Sequence, residues 1–227
     1  MANRSETKIK ILDAAERLFA ERGFSETSLR LITSKAEVNL ASVNYHFGSK
    51  KSLIQAVFAR YLTPFSVRFA EQLDTIEHQN NSPEKLLKLL PITLSMSGLE
   101  NPVRFGVFMR LLGLAYTQGQ GHLRRFLTAE YGNVFSRYMA EINRVTPELT
   151  PKERFWRIHF MLGASVFTMS SVDSLMAMAD HDLDMKTNIS DVISQLMPFL
   201  ASGLMAVEQA DGVTKSTDTR SASARLG

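Results

Sequence analysis

Cysteine is absent from the 227-residue chain, which excludes disulfides and thiolate metal sites. The N-terminal segment is charged and lacks the apolar run of a signal peptide. Apolar runs elsewhere are interrupted by charged or polar residues before they reach about 18 residues, so we expect no transmembrane span. These absences favour a soluble, cytoplasmic protein that does not enter a membrane.

Signatures of catalysis are also missing. The sequence contains no HExxH pair, no glycine-rich phosphate loop and no CxxC motif. Its histidines and aspartates are scattered and lack the spacing of metal ligands. We therefore expect neither an enzyme nor a bound metal or cofactor.

Apolar residues recur at helical spacing along the chain, and no segment alternates as a strand does. This pattern predicts an all-α protein of about nine helices. The net charge is only +3, but residues 1–60 hold ten Lys or Arg against six Asp or Glu, which is +4. A basic small module on a neutral larger one is typical of a nucleic-acid reader joined to a sensor, although a solvated helix surface has a similar composition.

The first helices of the basic module are marked by their end signals. A helix is expected over residues 5–22, where the apolar residues form one stripe, and a left-handed Gly23 would end it. The next helix is expected over 28–35, with Thr27 or Ser28 as its N-cap.

A turn and a third short helix complete a helix-turn-helix pattern. The turn is expected at residues 37–39 and the third helix at 41–47. Val43 and Phe47 would face inward at i, i+4 spacing, which leaves the polar residues between them free to face a groove. A helix this short is not stable alone, so its neighbours must hold it, as they do in a recognition helix.

Two lysines follow in an unusual position. Gly48 breaks the chain, Ser49 can cap a fourth helix, and Lys50 and Lys51 lie in that helix's first turn. Cations there oppose the helix macrodipole, but a phosphate would be bound by both the free N–H groups and the ammonium groups. Ordinary surface lysines remain the alternative.

The run ILDAAERLFAERGFSETSLRLITSKAEV, followed by NYHFGSKKSLIQAVF, resembles the DNA-binding domain of TetR-type transcriptional regulators. The resemblance implies a three-helix DNA-binding domain at residues 1–50, a helical ligand-binding and dimerisation domain at 51–210, and double-stranded operator DNA as a partner. Residues 211–227 are polar and small, which predicts a disordered tail. The DNA-contacting residues that the resemblance implies are Thr27, Arg30, Leu40, Ala41, Ser42, Asn44, Tyr45, His46, Lys50 and Lys51.

Two positions depart from the commonest pattern of that family. Glu37 occupies a turn position that usually holds Gly, which costs roughly 1 kcal/mol if the backbone has a positive φ there. Asn44 replaces the usual Tyr, and Tyr45 follows it. His46 has a second interpretation, in which it braces Phe47 at the helix junction instead of contacting DNA.

The larger domain is predicted to contain six more long apolar segments. They are expected at 53–76, with a possible bend at Pro64, and at 86–96, 103–117, 122–144, 151–179 and 190–209. The last two carry more apolar faces than one core stripe needs. The family resemblance accounts for this surplus by implying a homodimer through the last two helices.

The sensor is rich in Met and Phe, which suits an elongated cavity for a flexible apolar ligand. Core filling is the alternative. Gly106 and Gly113 leave room on one face for close helix packing or for a ligand. Arg110 is the arginine most enclosed by apolar sequence, so it can hold a ligand's charged head or pair with a glutamate such as Glu130 or Glu141. The expected ligand-binding residues are Phe105, Met109, Arg110, Phe126, Phe160, Met161 and Phe167.

Within that family, three runs look similar to PsrA-type, fatty-acid-responsive regulators: SLRLITSKAEVNLASVNYHFGSKKSLIQAVF, FMRLLGLAYTQGQGHLRRFL and FWRIHFMLGA. This resemblance implies a repressor of fatty-acid degradation genes that long-chain fatty acids or acyl-CoA release from a palindromic operator. A repressor that responds to a drug or aromatic compound is the alternative within regulation. A helical lipid-binding protein or enzyme is the alternative outside it, and this leaves the helix-turn-helix unexplained.

Overall fold

The computed structural model describes residues 4–76, 79–97 and 101–206, and every regular element within them is an α-helix. The bounds are α1 Arg4–Glu26, α2 Leu29–Ala36, α3 Leu40–Phe47, α4 Lys50–Ile76, α5 Pro83–Met96, α6 Pro102–Thr117, α7 Gly121–Val145, α8 Pro151–Ser170, α9 Val172–Leu183 and α10 Ile189–Met205. The predicted all-α fold is confirmed. The expected disordered tail at 211–227 lies outside the described residues.

Helices α1 to α3, which we call the reading head, follow the predicted end signals. Gly23 has φ +82°, which kinks the chain near the end of α1. Ser28, and not Thr27, is the N-cap of α2, since its hydroxyl accepts from the amide of Leu31 at 3.1 Å. The side chains of Ile11 and Ile32 are fully buried between the helices of the head.

The segment expected as one helix over 151–179 is two helices. It breaks at Ser171, which is the N-cap residue of α9, and α8 and α9 are bent by 72°. The expected count of about nine helices is therefore low by one within the described part of the chain. The signal was present in the SSVDS sequence, because Ser and Asp compete with helical hydrogen bonds and favour helix starts.

Helix α4 connects the head to the rest of the molecule, as predicted. It begins at Lys50 and continues as one helix through Pro64 to Ile76. One buried cluster contains residues of both parts: Phe24 of the head contacts Phe58 of α4, whose ring contacts Phe108 of α6. The domain boundary expected at residue 50 thus coincides with the start of α4, and the hydrophobic core continues across it.

Helices α6 and α8 pack closely, and the two glycines of α6 permit it. A Cβ at Gly113 would lie 3.0 Å from Val166 Cγ1, and one at Gly106 would lie 3.5 Å from the Met169 carbonyl oxygen. Of the two roles open for these glycines, close helix packing is the one seen. Among the described residues, no single helix is long and apolar enough to cross a bilayer, although the bent pair of α8 and α9 would suffice by length and composition together.

Candidate DNA-binding site

Helix α3 is held by its inner face and leaves its outer face free. The side chain of Asn39 caps it by accepting from the Ser42 amide at 2.8 Å, and Val43 is fully buried. Leu40, Ala41 and Asn44 are exposed, and Tyr45 is 65% exposed. Since an unsupported eight-residue helix would not form, this burial is what presents the outer face in a fixed orientation.

Ser42 and His46 are more restrained than the other predicted contact residues. The Ser42 hydroxyl donates to the Asn39 side-chain oxygen at 2.9 Å, so it takes part in the cap. The half-buried ring of His46 lies between Tyr45 and Phe47, at centroid distances of 5.2 and 6.1 Å. This placement is compatible with the bracing role that the sequence left open.

Thr27 was expected to contact DNA, and the structure corrects this expectation. Its side chain is 0% exposed, and its hydroxyl donates to the carbonyl oxygens of Leu18 and Gly23 at 3.0 and 2.8 Å. The threonine therefore closes the bend between α1 and α2. Arg30, the second residue of α2, is exposed as expected.

Glu37, which departs from the glycine common at this position in the family, has the positive φ at which a non-glycine residue is unfavourable. Glu37 has φ 55° and ψ 43°, which is the left-handed region, and it forms the C-cap of α2. Its amide donates to the Ser34 carbonyl at 3.4 Å, and the next amide, of Val38, donates to the Thr33 carbonyl at 3.0 Å. These hydrogen bonds pair the last carbonyl groups of α2, and α3 begins two residues after Val38.

The two lysines of α4 point to different partners. Ser49 caps the helix by accepting from the Ser52 amide at 3.1 Å. The ammonium of Lys50 lies 3.4 Å from the Ser25 carbonyl oxygen. Lys51 is exposed and close enough to His122 that, after burial, it contributes to the lowered pKa of that imidazole.

Two basic residues at the start of α1 belong to the same surface, although no sequence motif marks them. Arg4, Ser5 and Lys8 line a depression of about 480 Å³ together with Tyr45 and His46. The Arg4 guanidinium lies over the Tyr45 ring, with its carbon 4.9 Å from the centroid. Only folding brings these segments together, so periodicity could not reveal them.

The predicted ligand-binding residues do not form one site. Phe105 and Met109 are buried, while Phe126 is half-buried and meets Tyr131 edge to face. Phe160 and Phe167 were expected in an internal cavity, but they are 67% and 63% exposed on α8.

Met161 and Arg110 also differ from that expectation. Met161 packs beside the small cluster of Leu87, Leu149 and Leu204. Arg110 is wrongly predicted as the most enclosed arginine, because it is exposed and donates to the Ser170 carbonyl at 3.0 Å.

Comparison with known proteins identifies the family. Residues 11–57 match the model of bacterial regulatory proteins of the tetR family, and residues 96–203 match the tetracyclin repressor-like C-terminal domain. Together the two ranges cover more than half of the chain. The chain belongs to the TetR family.

Curated TetR relatives match over part of their length. The chain is 34% identical over 84 residues to the probable HTH-type transcriptional regulator YttP of Bacillus subtilis, covering 37% of this chain and 40% of that protein. It is 28% identical over 105 residues to the HTH-type transcriptional regulator UidR of Escherichia coli, covering 42% and 54%. The matches thus span about half or less of these relatives.

A solved structure supports the fold over nearly the whole chain. A HlyIIR mutant protein superposes with a TM-score of 0.58 at 21% identity, covering 87% of this chain and 97% of that one. At this identity the likeness concerns the fold alone. The helix-turn-helix of α2 and α3 and most of the helical C-terminal domain lie within the two ranges that match the TetR models.

Proposed function

We propose that this TetR-family chain is a DNA-binding transcriptional regulator, mainly a repressor, that reads a palindromic operator in the cytoplasm. The carrying observation is α3, which is fixed by buried Val43 while Asn44 and Tyr45 face outward. Asn suits adenine in the major groove, and the exposed Arg30 suits guanine. Tyr45, Lys50 and Lys51, with Arg4 and Lys8 added by the structure, suit phosphates.

Recognition of a palindromic operator requires a homodimer, because its two half-sites need two reading heads at a fixed spacing. Large apolar side chains are exposed along α8 and α10, and a contiguous exposed apolar face marks an interaction surface. The exposed residues are Phe155, Trp156, Phe160, Phe167 and Phe199. We propose that these two helices pack against their copies in a second subunit.

The proposed effector is a long-chain fatty acid or acyl-CoA, as in PsrA-type regulators, and the regulated genes are those of fatty-acid degradation. Supporting this is the apolar interior of the C-terminal domain, where Phe105 and Met109 lie among residues of α4 and α6. The ligand must bind the released conformation better than the operator-bound one. A hundredfold loss of operator affinity needs about 2.7 kcal/mol of such preference.

DNA selected by the full-length protein from a random duplex pool tests the first part of the proposal. A palindromic consensus with two half-sites is expected, and failure to enrich any sequence would overturn it. Gel shifts with that DNA then test the effector, using oleate, oleoyl-CoA, short-chain fatty acids and planar aromatic compounds. Release by aromatics alone would favour the drug-sensing alternative, and oleate binding without any selected DNA would favour a lipid-binding protein.

A further inference from the structure

Gln118, which follows the last residue of α6, is bonded to the reading head. Its side-chain oxygen accepts a hydrogen bond from the amide of Phe24 at 2.9 Å, between residues 94 positions apart. Residue 118 is also the C-cap of α6, with its own amide bonded to the Leu114 carbonyl. The side chain therefore joins the end of a C-terminal-domain helix to the bend at Gly23, near the end of α1.

The bend is shaped to admit this side chain. A Cβ at Gly23 would lie only 2.5 Å from the Gln118 side-chain nitrogen, so the missing side chain at position 23 leaves space for the amide group. The Gly23 carbonyl is already bound by the Thr27 hydroxyl. Gln118 in turn accepts from the Phe24 amide. Backbone polar groups of the bend are therefore hydrogen-bonded by one residue of the head, Thr27, and by one residue of the C-terminal domain, Gln118.

The bonded residue lies where movement of α6 would reach the helix-turn-helix. Phe24 is 1% exposed, and its ring contacts Phe19 of α1 at 5.4 Å and Phe58 of α4 at 6.3 Å. The N-cap of α2, Ser28, comes four residues later. A displacement of the α6 end would thus pull on the chain just before the first helix of the DNA-binding motif.

We infer that Gln118 is a positioning residue that couples the C-terminal domain to the reading head, through a polar contact additional to helix α4 and to the shared apolar core. The inference rests on the proposed function, since the coupled event is DNA binding. Coupling between two sites is reciprocal. We therefore expect DNA bound at the head to change hydrogen exchange at the α6 end, which can be measured without knowing the effector.

Hydrogen exchange of the full-length protein, with and without the DNA it selects from a random pool, tests the inference. In the wild type, bound DNA should slow exchange in peptides from residues 102–118. Gln118→Ala should lose that DNA-dependent difference while peptides from α2 and α3 keep theirs. Operator affinity should change by at most about tenfold, the most that one neutral hydrogen bond contributes.

Three further variants separate coupling from a structural defect. Gln118→Glu keeps an acceptor oxygen and should retain the difference, whereas Gln118→Met keeps the length without that acceptor and should lose it. Thr117→Ala is the matched control, because the hydrogen bonds of its hydroxyl among the described residues go to the Gly113 and Leu114 carbonyls within α6. A merely structural role would speed exchange equally with and without DNA.

The outcomes are distinguishable from failure of the proposed function. If the wild type selects no DNA, the proposed function falls and the coupling falls with it. If it selects DNA but α6 exchange does not respond, or if Gln118→Ala and Gln118→Met respond as the wild type does, the inference is overturned while the regulator remains.

Discussion

The Lys50 ammonium and the Ser25 carbonyl oxygen lie 3.4 Å apart, between the start of α4 and the last turn of α1. A charge-assisted hydrogen bond is normally shorter, so this contact is a weak one. It places the ammonium at the start of a helix whose free amides attract anions. A phosphate arriving there would offer Lys50 a stronger partner than the carbonyl does.

Replacing Lys50 by Ala should therefore weaken binding to all DNA sequences alike. Loss of one phosphate contact should reduce the slope of log K against log salt by about 0.9. Fluorescence anisotropy at several salt concentrations measures both effects, with Lys85→Ala on the exposed face of α5 as the control. A change in base preference instead would show that Lys50 does not act through phosphate.

Glu37→Gly should stabilise the reading head. With φ 55°, Glu37 holds a conformation that glycine adopts without steric cost, so the gain should be about 1 kcal/mol in the free energy of unfolding. Chemical denaturation measures it. Glu37→Ala removes the same charge but keeps a Cβ, so it should bring no such gain; equal effects of the two variants would assign the change to charge.

Local signals in the sequence were sufficient where the chain marks its own helix ends. Ser28 and Ser49 cap helices where capping chemistry predicts them, and Gly23 has the expected positive φ. The family match adds the helix-turn-helix. Both depend on residues that lie near one another in the sequence.

The predictions that failed concern which side of a helix contacts which neighbour. An apolar stripe on α8 has the same periodicity whether it lines a cavity or faces another subunit, so Phe160 and Phe167 were placed inside. Arg110 borders apolar sequence and is nevertheless exposed. The Gln118 bond to Phe24 joins segments that no periodicity relates.

Arg104→Leu should impair release by oleate more than Arg110→Leu does, if the effector carries an anionic head. The half-buried Arg104 guanidinium lies over the buried ring of Tyr61, 5.3 Å from its centroid, whereas Arg110 is exposed. The contact seen for Arg104 in the described part of the chain is with the face of this ring, and the N–H groups of a guanidinium can also donate to an anionic head. Gel shifts across an oleate titration give the comparison, and a larger effect at Arg110 would reverse this assignment.

Phe160→Glu should convert the dimer to a monomer, because a charge would be buried in the proposed α8 and α10 interface. Sedimentation velocity measures the mass in solution. Val103→Glu is the matched control: Val103 is 74% exposed on α6, and the same charge there should leave the dimer intact. A Phe160→Glu protein that stays dimeric would place the interface elsewhere.

His122 should make the protein less stable in mild acid. Burial, followed by the charges of Lys51 and Arg125, lowers the pKa of its imidazole below the ordinary 6.5, and its Nε2 is buried without a hydrogen-bond partner in the described residues. The unfolded chain binds the proton at a higher pH than the folded one does. The free energy of unfolding must therefore rise with pH through the interval between the two pKa values, and fall as pH drops through it.

The loss should be seen between about pH 7.5 and about pH 5.5, the range in which an ordinary histidine titrates. Urea denaturation of the wild type and of His122→Gln at both values isolates the contribution, since all other titrating groups are common to the two proteins. His122→Gln should lose less stability than the wild type over this range. The His122 carbonyl oxygen accepts a hydrogen bond from the Gln55 side chain of α4 at 3.5 Å, so His122 lies where α7 contacts α4. Protonation would thus place a third cation beside Lys51 and Arg125, at the contact between the start of α7 and α4. Equal pH dependence of the two proteins would show that His122 does not cause the loss of stability in acid.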